Sequence, residues 1–324
     1  MNVANLDNTM KNTRNPQTLL EAVTYFADAK RCAEFMKNLH WPDGNAKCLH
    51  CDSAHVKELS TRQQWKCYDC EKKFSLKMGT IFEKSPLSLS KWLPALWLVM
   101  NAKNGVSSCE VSRSLGVCQK TAWFMCHRIR EAMANKTFQK MTEIVETDTA
   151  YLGGSRKNWS NEKRANTPPY LDHKTPIAAY VERNDEGQII QVTANVVTDS
   201  TTETLQNDLR KNVEAGAVVY TDQSNVYQSL ASEYWHRTVN HSIDEFVRGD
   251  VTTNRVEGYF GLLKRCIKGT YIHMAPCHMD RYIAEQSLRY NLRENNDGGR
   301  FQQVAAQAIG ARLTYKELTG KASD

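Results

Sequence analysis

The sequence predicts a multidomain protein: a small cysteine-built module, a helical segment, then an α/β unit with a mixed sheet. Three observations predict it. Two C-x-x-C pairs stand close together, Cys48–Cys51 and Cys67–Cys70. Apolar residues recur at helical spacing through the middle of the chain, with a start signal at Ser107 and a glycine stop at Gly116. From about residue 142, β-branched and apolar runs alternate with helical patterns. At 324 residues the chain has room for two or three domains of roughly 100–200 residues each.

Four segments follow from these signals. Residues 1–40 hold a polar tail and a helical stretch, Leu19 to Leu39. Residues 41–85 carry the cysteine pairs, residues 86–141 read as helices, and residues 142–324 form the α/β part. Hydrophobic residues make up 41% and charged residues 24%, which excludes wholesale disorder. The purest apolar run, Trp92 to Met100, falls far short of the roughly 20 residues a membrane helix needs. Met1 to Asn15 is polar and lacks an apolar signal-peptide core, so a cytoplasmic location is expected. A net charge of +6 is a mild bias toward polyanions, and its placement matters more than its size.

Four of the ten cysteines fall between Cys48 and Cys70; the other six are scattered. A long chain of this kind keeps its thiols reduced and uses a local cluster for metal. Fifteen residues separate Cys51 from Cys67, the spacing of a zinc ribbon. Four thiolates fill a zinc tetrahedron, so Cys48, Cys51, Cys67 and Cys70 predict structural zinc. His50 and His55 are then bystanders. Lys47, Lys57, Arg62, Lys66, Lys72 and Lys73 surround the pairs and suit phosphate contact; a solvated basic surface is the plainer reading.

Ser107-Ser108-Cys109-Glu110 fits a capping box, with Val106 and Val111 as its hydrophobic staple. The helix stops at Gly116, and a second begins near Cys118 or Gln119. Ala122, Met125, Cys126, Ile129 and Met133 form its apolar stripe. Residues 110 to 140 carry six Lys/Arg against two Glu. Helix, short Gly turn and basic second helix predict a helix-turn-helix in which Gln119, Lys120, Thr121, Phe124 and Arg128 face DNA. An ordinary helical hairpin is the alternative.

In the α/β part, strands are expected over Glu143 to Leu152, Ile177 to Arg183, Gln188 to Val197, Ala217 to Thr221 and near Thr238. Asn184-Asp185-Glu186-Gly187 is a hairpin turn between the second and third. Helices are expected over Thr201 to Val213, Gln223 to Tyr234, Asn254 to Lys268 and Pro276 to Arg293. Asp148 lies in the first strand, Asp222 just after the fourth, and Glu257 in the first turn of the helix that Asn254 caps. Three such acids can converge on one sheet edge. Clustered carboxylates do not all ionise without cations, and oxygen ligands suit Mg²⁺ working on phosphates. Glu146 points the same way as Asp148; Asp199, Asp244, Glu245 and Asp250 are competing acids, and any one acid is commonly structural. Residues 248 to 293 hold eight Lys/Arg against four acids. The 155 to 175 loop adds five bases, Trp159 and Tyr170, a mixture that suits nucleic acid.

Further blocks are Met78-Gly79-Thr80-Ile81-Phe82, Gln119-Lys120-Thr121-Ala122-Trp123-Phe124-Met125 and Glu146-Thr147-Asp148-Thr149-Ala150-Tyr151-Leu152-Gly153-Gly154. Val219-Tyr220-Thr221-Asp222, Val239-Asn240-His241-Ser242 and Thr253 to Lys264 follow. With the cysteine pairs, these blocks, in this order over about residues 20 to 320, resemble a bacterial insertion-sequence transposase of the DDE type. The closest subgroup is insertion-sequence group fifteen-ninety-five, which has an N-terminal zinc ribbon. The resemblance implies an RNase H-like catalytic domain, with Asp148, Asp222 and Glu257 binding two Mg²⁺ or Mn²⁺ ions. It casts Asn254 as site organiser and Lys264 as phosphate contact. It implies double-stranded DNA as partner, both element ends and target, and a homo-oligomer on that DNA. Thr149-Ala150 stand where such relatives often carry an acid and then Ser or Thr. A non-catalytic DNA-binding regulator is the rival; a repair or recombination nuclease is a third reading.

Overall fold

The computed structural model describes residues 15–320 except 60–62, 135–138, 154–159, 166–173, 224, 241–242, 244, 246 and 273. In chain order the elements are α1 (Leu19–Phe26), α2 (Ala29–His40), β1 (Val56–Leu59), β2 (Gln64–Cys67), β3 (Lys73–Ser75), α3 (Leu89–Asn101), α4 (Ser108–Leu115) and α5 (Gln119–Met133). Then come β4 (Ile144–Leu152), α6 (Asn161–Ala165), β5 (Thr175–Arg183), β6 (Ile189–Val196), α7 (Thr202–Asn212), β7 (Val218–Asp222) and β8 (Trp235–Val239). The last are β9 (Val247–Arg248), β10 (Val251–Thr252), α8 (Asn254–Cys266), α9 (Met279–Asn291), α10 (Asp297–Gln307) and α11 (Tyr315–Thr319). They form two compact units: Met1–Asn135 with Arg293–Asp324, and Lys136–Leu292. The C-terminal helices therefore belong with the N-terminal unit, not with the α/β segment to which the sequence reading assigns them.

In the first unit, the expected helix Leu19 to Leu39 is two helices. The Asp28 carboxylate accepts the Lys30 N–H and starts α2 afresh. Phe26, Phe35, Trp97 and Phe301 form an aromatic core: Phe26–Phe35 centroids lie 5.2 Å apart, Phe35–Phe301 5.5 Å and Trp97–Phe301 5.1 Å. Phe301 on α10 completes this core, which explains where the C-terminal segment goes. β1, β2 and β3 make a three-stranded antiparallel sheet in that order. The Ser107 hydroxyl accepts the Glu110 N–H at 3.1 Å, Val106 and Val111 are buried, and Gly116 closes α4 in the left-handed region at φ 59°.

The second half of α5 runs through the interior, and this corrects one expectation. Arg128 does not face solvent: it is 4% exposed, and burial pushes its guanidinium down to about 10. The guanidinium lies 5.4 Å from the ring centres of Trp92 and of Phe124, and Nη2 donates to the Glu83 carbonyl at 2.6 Å. Replacing Arg128 with Ala would empty an aromatic-lined space and orphan that carbonyl. We expect a loss of about 2–4 kcal/mol, read as a lower urea midpoint at unchanged m-value; a change under about 0.5 kcal/mol, typical of surface sites, would contradict it.

The second unit is built on a five-stranded sheet ordered β6-β5-β4-β7-β8. β4–β5 and β5–β6 are antiparallel, while β4–β7 and β7–β8 are parallel, so the sheet is mixed as expected. Alternation along β4 sends its two sets of side chains to opposite faces. Val145 packs with Leu205, Leu209, Val219 and Tyr227 on the α7 face. Ala150 and Leu152 pack with Val256, Tyr259, Leu263 and Ile283 of α8 and α9 on the other. Two predicted helices differ. Gln223 to Tyr234 is a 3-10 helix over Asn225–Ser232, and α8 gives way at Ile267 to a π-turn ending at Tyr271, where the Ile272 N–H reaches back to the Ile267 carbonyl.

Candidate active site and metal centre

The four cysteine sulfurs lie within 4.8 Å of one another, with Cys48–Cys70 and Cys51–Cys67 both 3.7 Å apart. Thiolates about 2.3 Å from a tetrahedral zinc would be ~3.8 Å apart, so this donor set fits zinc. The two knuckles are built alike. The Cys48 N–H donates to the Ser53 carbonyl, and the Cys67 N–H donates to the Lys72 carbonyl. The residue after each second cysteine, Asp52 and Glu71, is left-handed at φ 57°. The N–H groups of Cys70 and Asp69 aimed at Cys67 hold its thiol down to about 6 against burial, which favours the ligating thiolate. Neither histidine joins the cluster; His55 Nδ1 is 3.1 Å from Asp69 Oδ1. Lys47, Lys57, Lys72 and Lys73 are exposed, and Lys66 Nζ lies 5.2 Å from the centre of the half-exposed Tyr68 ring. Arg62 lies outside the described residues.

In the other unit the parallel pairing of β4 with β7 runs as far as Glu146↔Tyr220. Asp148 and Asp222 stand two residues further along their strands, on the same face. Asp222 is the last residue of β7 rather than the one after it. Glu257 sits in the first turn of α8, whose N-cap is Thr253, one residue before the expected Asn254. The Asp148 carboxyl is pushed up to about 6: by burial first, and by the negative charges of Asp222 and Glu257. The Thr149 N–H, donating at 2.6 Å, and the Lys264 charge pull the other way. The three acids and Lys264 therefore share one electrostatic neighbourhood. Asp148 and Asp222 are half-buried; Glu257, Asn254 and Lys264 are exposed. Among the described residues, the four thiols are the group whose donors meet within 4.8 Å.

The competing acids have other partners. Glu245 pairs with Arg248 at 2.6 Å, Asp250 accepts the Tyr220 hydroxyl at 2.7 Å, and Asp199 accepts the Thr201 N–H at 2.9 Å. Asp244, the His241-Ser242 pair and most of the basic loop, with Trp159 and Tyr170, lie outside the described residues. Thr149 points to the α7 face, its hydroxyl 3.4 Å from that of Tyr227. An acid at position 149 would thus lie on the opposite face of the strand from Asp148.

Along the helix pair, Gln119 and Lys120 are exposed, while Thr121 and Phe124 are half-buried. Gln119 Nε2 donates to the Ser108 hydroxyl at 2.9 Å. Tyr315 of α11 meets both Phe124, 5.4 Å between centroids, and Lys120, whose Nζ is 5.3 Å from its ring centre. Nothing in the sequence around residue 315 points to this neighbour of α5.

Residues 140–291 match the family described as the ISXO2-like transposase domain, and residues 28–73 match the transposase zinc-ribbon domain, both of the IS1595 group. The chain belongs to the IS1595-type transposases. A protein described as uncharacterized, in the transposable element ISH50 of Halobacterium salinarum, is 24% identical over 253 residues, covering 74% of this transposase and 83% of that protein. The transposase-domain match covers nearly the whole sheet unit, and the ribbon match takes in all four cysteines. The helix pair of this transposase falls outside both matches. No helix among the described residues is long and apolar enough to cross a membrane.

Proposed function

We propose that this transposase binds the terminal inverted repeats of its element and cuts and joins DNA at the site formed by Asp148, Asp222 and Glu257. The observation that supports the reading is that the charges of Asp222, Glu257 and Lys264 all act on the Asp148 carboxyl, within a unit that matches a transposase domain. The mixed sheet with helices on both faces is consistent with an RNase H-like catalytic domain. The carboxylate oxygens would hold two Mg²⁺ or Mn²⁺ ions, a donor set hard cations favour. When bound, such ions supply positive charge to the attacked phosphodiester and its leaving oxygen. Lys264 contacts a phosphate oxygen and Asn254 organises the first turn of α8. Water attacks phosphorus, the P–O3′ bond breaks, and the 3′ oxygen leaves as a hydroxyl. That hydroxyl then attacks a target phosphodiester, displacing the target's own 3′ oxygen. No covalent protein–DNA intermediate is required.

The exposed lysines of the zinc ribbon would follow the phosphate backbone. The α4–α5 pair acts as a helix-turn-helix, with Gln119 and Lys120 presented to the groove and Thr121 beside them. Phe124 contributes from a half-buried position, and Arg128 holds the helix from within. Joining two ends calls for a homo-oligomer on DNA. The test is a reaction of the zinc-loaded protein with duplexes carrying the element's ends. We expect a freed 3′-OH and a joined product only with Mg²⁺ or Mn²⁺, and end binding without either. End binding with no cleavage in both metals would overturn the enzyme and leave the DNA-binding regulator.

A further inference from the structure

Beneath the three acids lies a second layer of polar side chains that the transposase reading does not use. Glu146 on β4 is 0% exposed, an expensive place for a carboxylate unless it is fully paired. Its Oε2 accepts the backbone N–H of Arg255 at 2.9 Å, and its Oε1 accepts Nη1 of Arg255 at 3.0 Å and Nε of Arg183 at 3.2 Å. Arg255 Nε donates to the Gly187 carbonyl at 3.1 Å, so the same arginine holds the β5–β6 turn. Gly187 is at φ 81°, and a Cβ there would come within 2.6 Å of Arg255 Nη2; glycine leaves that room. Arg183 Nη2 donates to the Asp250 carbonyl at 2.8 Å, and its guanidinium lies 5.4 Å from the ring centre of Tyr220.

The register gives this layer its meaning. Glu146, Tyr220 and Arg255 each precede one of the three acids by two residues: Asp148, Asp222 and Glu257. Glu146 and Tyr220 are themselves paired across β4 and β7. The rest of α8 meets the sheet through Val256, Tyr259, Phe260 and Leu263, apolar contacts that tolerate small shifts. The bonds at Glu146 are directional, and one of them fixes a backbone N–H of the first helical turn. Mg²⁺ holds its oxygens at about 2.0–2.1 Å in a near-octahedral arrangement, so a first turn free to drift would spoil the site.

We propose that Glu146 is a positioning residue: clamped by Arg183 and Arg255, it docks the first turn of α8 onto β4 and so sets the spacing of Glu257 from Asp148. The proposal rests on the three-acid reading above. Arg255 is the lever for the test, since its loss leaves the buried Glu146–Arg183 pair in place. In the full-length, zinc-loaded chain, Arg255→Gln is expected to keep the wild-type melting temperature within a few degrees. Its Mn²⁺ affinity, read by electron paramagnetic resonance of free Mn²⁺, should fall about 10–100-fold, the usual cost of losing a group that orients metal ligands. The Mn²⁺ concentration for half-maximal strand transfer should rise in parallel, with the rate recovered at high Mn²⁺. Arg255→Lys, which keeps a cation for Glu146, should lie between the two.

Asp222→Asn serves as the reference. Wild-type Mn²⁺ affinity that Asp222→Asn leaves unmoved would overturn the three-acid reading and the clamp with it. Affinity that falls in Asp222→Asn but stays at the wild-type value in Arg255→Gln would overturn the clamp alone. Should Arg255→Gln fail to fold, Arg255→Lys carries the same decision on affinity.

Discussion

Replacing Cys67 with Ser, or stripping zinc with a strong chelator, is expected to unfold residues 46–59 and 63–75 while the sheet unit stays folded. The strands of the ribbon are three or four residues long, too short to hold a sheet without help. Its buried apolar side chains are few: Trp65, Phe74 and Leu76, with Cys48 and Cys67 among the ligands themselves. Metal binding in such modules contributes about 10–16 kcal/mol of apparent free energy, which is folding free energy when the unliganded form is unfolded. The sheet unit, by contrast, has an extensive apolar cluster on each face. Hydrogen exchange read by mass spectrometry should show protection vanish across β1, β2 and β3 and persist across β4 and β5. Trp65 sits 5.0 Å from Trp41, ring centre to ring centre, so near-ultraviolet circular dichroism should change with it. Full protection in the ribbon after verified zinc loss would show that the apolar contacts suffice and the metal is incidental.

The ribbon was readable because its rule is local: four cysteines in one short window need no partner elsewhere in the chain. The same holds for Ser107 and Gly116, whose effects reach three or four residues. The three acids suggest themselves through a family pattern and through their places on two strands and in the first turn of a helix, and strand alternation puts Glu146 on the same face as Asp148. Two of the misplaced features are long-range. Arg128 looks solvent-facing on a helical wheel, and only Trp92, Phe124 and the Glu83 carbonyl, up to 45 residues away, make it interior. Phe301 belongs with Phe26 and Phe35, and no local pattern announces a contact across that separation. The end of α8 is a local case: apolar spacing continues through Ile267, yet the backbone takes a π-turn before Ile272 at φ 58°. The clamp at Glu146 joins three segments, so its arginines drew no notice from sequence although Glu146 itself did.

Asp148→Asn should abolish strand transfer and, at neutral pH without added Mg²⁺ or Mn²⁺, make the protein more stable. Both halves come from one cause. The carboxyl of Asp148 is raised from 3.8 to about 6 because burial and the charges of Asp222 and Glu257 oppose its ionisation. The folded state therefore binds this proton more tightly than the unfolded chain. Stability conferred by the protonated form is complete below about pH 4 and is lost as pH rises to about 6, amounting to ~2–3 kcal/mol at pH 7. An asparagine carries no charge and escapes that loss, so the variant should gain about that much at pH 7 and nearly nothing at pH 4. Hydrogen exchange of β4 and β5 in the zinc-loaded protein would read the difference. Adding Mn²⁺ at pH 7 should stabilise the wild type by relieving the same repulsion, and should stabilise the variant far less. On the proposed three-acid reading, the reaction needs the charge that the fold resists: losing one carboxylate ligand would forfeit several kcal/mol of transition-state stabilisation, on the order of 10³-fold in rate or more. A stability difference between wild type and variant that is the same at pH 4 and pH 7, with a wild type indifferent to Mn²⁺, would mean that these acids do not confront one another. A variant that still joins DNA ends at the wild-type rate would remove Asp148 from the chemistry.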